Sequence, residues 1–146
     1  MGGFGQHACR FEFDSDRFDH VSELPPEFNA GNRFYGRDVA EFVSTGLAED
    51  GFETSFFDED WGWQAHARRP DGAVLEISVY HNPEEDPNLQ DRWALLVRLL
   101  RKERRLGVLT RFAEVEIDEP TLAALEDVFR RGGISLARAH APASSA

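Results

Sequence analysis

The 146-residue chain has one cysteine, Cys9, one methionine and one lysine, Lys102. With a single cysteine no intrachain disulfide can form, and thiolate metal clusters are excluded. No apolar run approaches the roughly 20 residues that span a bilayer, so no membrane-spanning helix is expected. The opening residues, MGGFGQHACRFEF, lack the basic start and apolar middle of a secretory signal. A cytoplasmic location follows as the expectation. Positive charge is scarce as well: 16 bases stand against 27 acids, a net charge of -11. Such a chain is repelled by phosphates and by anionic membrane surfaces. Neither nucleic acid nor membrane is therefore an expected partner, whereas a basic protein is. Arginine supplies 15 of the 16 bases, a bias in keeping with a high-GC bacterial genome.

Catalytic signatures are also missing. There is no G-x-S-x-G elbow. The glycines of GGFG precede the first strand instead of following one, so they fail the context of a phosphate loop. Cys9 shares a face with Phe11 and Phe13, where a thiol is usually inert packing. His81 is followed by Glu84, Glu85 and Asp86, but no second histidine lies nearby. The group reads as a solvated acidic loop, and no metal or cofactor is expected.

What is present suits a folded core. Hydrophobic residues make up 41% of the chain and charged residues 29%, and there are 12 Phe and 3 Trp. One domain is expected over residues 1–140, with a fraying tail at 141–146. CRFEFDSD alternates as a half-buried strand. Residues 15–34 read as irregular, with turn signals at Pro25-Pro26 and Asn29 to Asn32. A helix is expected from Tyr35 to Asp50, because Val39, Phe42, Val43 and Leu47 share one face.

FETSFF and WGWQAHARR follow as strands. The second places Trp61, Trp63, Ala65 and Ala67 on one face and Gln64, His66 and Arg68 on the other. Pro70-Asp71-Gly72 makes a tight turn, and AVLEISVYH returns as the partner strand. After a polar loop over 82–91, RWALLVRLL is a strand with Trp93, Leu95, Val97 and Leu99 together. Leu96 and Leu100 make its other face apolar too, as in a central strand. Residues 101–111 fit either a turn with a strand or a short helix. FAEVEID alternates as a strand. DEPTLAALEDVFRRGG is a second helix, with Asp118 as N-cap and Pro120 in the first turn. ISLARA adds a last strand. The result is an α+β domain in two layers, with a mainly antiparallel sheet of five to seven strands and two helices packed on one face.

Three groups carry the functional options. His66 and Glu76 fall on the polar faces of adjacent strands and can meet across the hairpin, as a base and its orienter or as an ordinary cross-strand pair. His81 is the other candidate base of such an enzyme, with metal assistance as an option. The basic segment from Arg98 to Arg111 has no accompanying aromatic ladder, so it reads as a pole that pairs with acids of this chain or a second subunit. The third group is FFDEDWGWQAH. Asp58, Glu59 and Asp60 are expected at a bend between two strands, with Trp61 and Trp63 side by side holding that bend from the core.

The charge is uneven. Residues 1–90 hold 19 acids and 6 bases, a net -13, while residues 91–146 hold 8 acids and 10 bases, a net +2. Acids leading into EDWGW, then a hairpin, then SVYHNPEE resemble small acidic bacterial proteins of immunity type, over residues 35–86. The resemblance implies a non-enzymatic domain whose acidic surface meets a basic toxin face. The matching positions are Asp58, Glu59, Asp60, Glu84, Glu85 and Asp86. The leading expectation is an acidic protein-binding module. The alternatives are an enzyme using His66 or His81 with Glu76, and a subunit that completes a homodimer.

Overall fold

The computed structural model describes residues 7–19, 35–59, 61–81, 91–105 and 109–139. The expected irregular stretch at 20–34, most of the polar loop at 82–90 and the tail at 141–146 lie outside the described residues. So do Asp60, Glu84, Glu85 and Asp86.

The chain forms one antiparallel sheet and two helices, an α+β fold. In order the elements are β1 (Cys9–Asp14), α1 (Arg37–Glu49), β2 (Glu53–Glu59), β3 (Gly62–Arg68), β4 (Val74–Tyr80), β5 (Arg92–Arg105), β6 (Leu109–Val115), α2 (Glu119–Arg131) and β7 (Ala137–Ala139). The strand order across the sheet is β2-β3-β4-β5-β1-β7, with β6 also paired to β5. β5 is the central strand that its two apolar faces suggested. Its first half lies between β4 and β1, with Ile77 opposite Val97 and Phe11 opposite Leu95. Its second half runs on as a ribbon with β6, from Leu99 opposite Val115 to Arg105 opposite Leu109.

That ribbon makes residues 101–105 and 109–111 strand, within the stretch that reads as either a turn with a strand or a short helix. Alternation along a strand separates Arg101 from Lys102, and Glu103 on the same ribbon accepts from Arg111 at 3.4 Å. A run of bases is thus accommodated without a helix. β6 begins before the expected FAEVEID strand and ends at Val115, short of Ile117. The last strand is only three residues of the expected ISLARA.

One face of the sheet carries the core. Trp63, Val79, Leu95 and Phe11 are in register across β3, β4, β5 and β1, and Ala65, Ile77 and Val97 form the next row. All are buried. α1 lies against β2 and β3 and contributes Val39, Ala40, Val43 and Leu47. Phe129 of α2 meets Phe13 of β1 at 5.0 Å and Phe42 of α1 at 5.1 Å between ring centroids.

Gly46 lets the helices meet. A Cβ there would fall 2.3 Å from a Val128 methyl, so the residue that weakens α1 locally is also what allows its contact with α2. At the other helix, Asp118 caps as expected, accepting from Thr121 N at 3.3 Å. The β3–β4 turn closes with Arg69 N donating to Ala73 O at 2.8 Å, and Gly72 takes a positive φ of 94°. Arg69 and Ala73 N both donate to Asp71, which holds its carboxyl well below the usual carboxylate range.

Candidate functional site

The acidic bend is built differently from its sequence reading. Asp58 and Glu59 belong to β2 itself, opposite Trp63 and Gly62 of β3. Ladder pairing reaches the end of β2, so these two acids are strand residues. Asp58 shares the core-side phase of Phe56 and Thr54. Glu59 shares the other face with Glu53, Ser55 and Phe57.

The two tryptophans part company. Trp63 is 4% exposed and sits in the core, whereas Trp61 is 37% exposed. Trp61 stacks on Tyr80 with ring centroids 5.5 Å apart and planes at 26°. Tyr80 lies on the face opposite the core, beside Ser78 and Glu76 in alternation along β4. The expected side-by-side pair therefore does not form. Strict alternation requires both residues to be extended strand, but β3 starts at Gly62, which takes φ +155°. Trp61 precedes the strand and rotates onto the other face. Gly62 also packs closely, since a Cβ would lie 3.4 Å from the Val79 carbonyl. The other large apolar side chain exposed among the described residues is Phe112, on the β5–β6 ribbon.

His66 and Glu76 do come together. They are directly opposed in the β3–β4 ladder, and His66 Nε2 is 3.7 Å from Glu76 Oε2. The same Nε2 is 2.9 Å from Gln64 Oε1, and Gln64 Nε2 donates to Ser78 Oγ at 3.0 Å. Phe57 stands edge-on to the imidazole at 4.9 Å. Glu76 Oε1 accepts from Arg98 Nε at 2.8 Å and Nη2 at 2.6 Å. Arg98 Nη1 lies 3.7 Å from Glu114, whose other oxygen accepts from His7 N at 3.0 Å.

A row of polar and charged side chains, His66, Glu76, Arg98 and Glu114, thus crosses four strands. The nearby His66 and then the hydrogen-bonding Arg98 hold the Glu76 carboxyl below its usual range, against the opposing effect of burial. An ionised Glu76 gripped by Arg98, and an imidazole nitrogen shared by Gln64 and Glu76, describe a cross-strand tie. His81 is not part of this group. It packs at 4.5 Å on Trp93, a core-face ring, and at 6.1 Å on Tyr35. It lies five residues beyond Glu76, roughly 17 Å along the strand direction, and in the opposite phase.

Among the described residues, no group of three or more His, Cys, Asp or Glu side chains is placed to hold a metal ion. No described helix is long and apolar enough to cross a membrane. Three bases of the segment pair with acids of this chain: Arg98 with Glu76, Arg101 with Asp71 and Arg111 with Glu103. Burial raises the Cys9 thiol above its ordinary pKa, as expected for a packed side chain.

Two grooves flank α1. One, of about 490 Å³, lies between α1 and α2 over Phe18, Phe42 and Val128. The other, of about 620 Å³, lies between Ser44, Thr45, Ala48 and Glu49 of α1 and Thr54, Ser55 and Phe56 of β2. Sequence reasoning missed this second groove. Its only signal was the exposed polar stripe of α1 preceding a strand, which does not show that the strand ends the sheet.

No family model, no curated protein and no solved structure matches the chain.

Proposed function

We propose that the protein is a non-enzymatic acidic module that binds a basic partner protein with the β2 end of its sheet. The exposure of Trp61 carries this reading. A tryptophan turned out of the core, held flat on Tyr80 and placed two residues after Glu59, has the character of an interface anchor. Tryptophan is enriched among the few residues that dominate binding energy. The net charge of -11 adds attraction for a basic partner and acts mainly on association rate. An immunity-type inhibitor of a basic toxin is one instance of such a module. In this account the His66–Glu76 contact belongs to the scaffold, because its atoms are engaged with Gln64 and Arg98.

The test is capture from a lysate of the native host at low salt, using the immobilised wild-type chain and its Trp61→Ala variant side by side. The wild type should retain a basic protein that the variant releases. Retention of nothing, or of the same proteins by both, would sink the reading.

A further inference from the structure

β2 ends the sheet. It pairs with β3 on one side, and among the described residues no strand covers its other side. An edge strand of this kind is where an extended chain can add to a sheet. Here the edge borders the groove of about 620 Å³ whose far wall is α1. A sheet edge facing a helix is a geometry in which a peptide adds as a further strand, with main-chain hydrogen bonds on one side and pockets for alternate side chains on the other.

Side-chain phase says what such a strand would carry. Glu53, Ser55, Phe57 and Glu59 point to the face opposite the core, so an incoming strand meets carboxylates at both ends of that row. Glu53 is held by Arg68, but both side chains are more than half exposed, at 71% and 58%, so a partner can replace that contact. Thr54 and Phe56 point to the α1 side, where Ser44, Thr45 and Ala48 leave room for small or branched side chains.

A second copy of the chain fits poorly. If two β2 strands paired antiparallel in full overlap about Phe56, each Glu53 would face the other copy's Glu59 and each Thr54 an Asp58. Like charges directly opposed are unfavourable. The same acids attract lysine or arginine.

We infer that β2 is a docking edge for an extended basic segment of a partner protein, with basic residues at alternate positions on the outer face and small branched residues seated against α1. This rests on the binding reading above and names its partner's chemistry.

The probe is a nine-residue peptide of alternating lysine and valine, titrated against the intact protein and followed by amide hydrogen exchange. Binding should be saturable and should slow exchange of the β2 amides at least tenfold. A peptide of the same sequence and charge, N-methylated at alternate residues, should bind at least tenfold more weakly. The double variant Glu53→Lys, Glu59→Lys should weaken binding at least tenfold. Glu116→Lys with Glu119→Lys, an equal charge change at exposed sites, Glu119 lying beside Arg138 of β7 at the other end of the sheet, should leave it within twofold.

Absence of binding, equal binding of the N-methylated peptide, or equal loss in both charge variants would overturn the inference. Those failures are separable from failure of the broader reading. If the lysate test still retains a Trp61-dependent partner, the binding module stands and only the strand-addition mode falls.

Discussion

Trp61 and Trp63 are two residues apart, yet Trp61 stacks on Tyr80 at the surface while Trp63 is buried against Val79 and the core. Their substitutions should separate cleanly. Trp63→Ala removes a buried indole and should cost about 3–5 kcal/mol in chemical denaturation. Trp61→Ala loses one stacked contact and should cost about 1 kcal/mol. Equal costs would mean that the two rings share one environment.

Gly62 makes that separation possible. Its φ of +155° is unfavourable for a side chain. Gly62→Ala should cost about 1–3 kcal/mol and should also alter the Trp61 environment. Near-ultraviolet circular dichroism of the variant checks the second effect. An unchanged spectrum with unchanged stability would show that the glycine is dispensable.

Gly46 is a packing position. Gly46→Ala places a methyl where Val128 already sits and should cost about 1–3 kcal/mol, although alanine favours helix. Combining it with Val128→Ala should cost less than the two single changes added together, because the clash is removed. Additive costs from thermal or urea denaturation would contradict a direct contact.

Glu76 should impose an acid limit. Its carboxyl titrates below its ordinary value of 4.5 in the folded state. Its contribution is therefore complete above about pH 4.5 and is lost as the pH falls through the lower folded value. Glu76→Gln leaves Arg98 without its main partner and should cost about 2 kcal/mol at pH 7. Between pH 5 and about pH 3, wild-type stability should fall more steeply than that of the variant. Parallel curves from urea melts across this range would remove Glu76 from the account.

Much of the fold was legible because its signals are periodic. The β3–β4 hairpin, the Asp118 cap and the paired apolar faces of β5 all follow from alternation and turn chemistry. The His66–Glu76 contact was legible for the same reason, since polar phases on neighbouring strands must meet. What escaped depends on tertiary context. Residues 101–105 have no apolar pattern of their own and are strand because β6 pairs with them. Trp61 breaks phase through one glycine dihedral, which no spacing rule registers. Gly46, unfavourable inside a helix on its own, is accounted for only by Val128 packed against it. The groove between α1 and β2 lies beside the outermost described strand, and strand order is not written in local periodicity.

The most direct measurement is the affinity of the captured basic protein for wild-type chain and for Trp61→Ala, taken at low salt and again at 0.5 M salt or about that value. The account requires at least a tenfold loss of affinity with Trp61→Ala and weaker association of the wild type at the higher salt. Equal affinities for the two chains would contradict it.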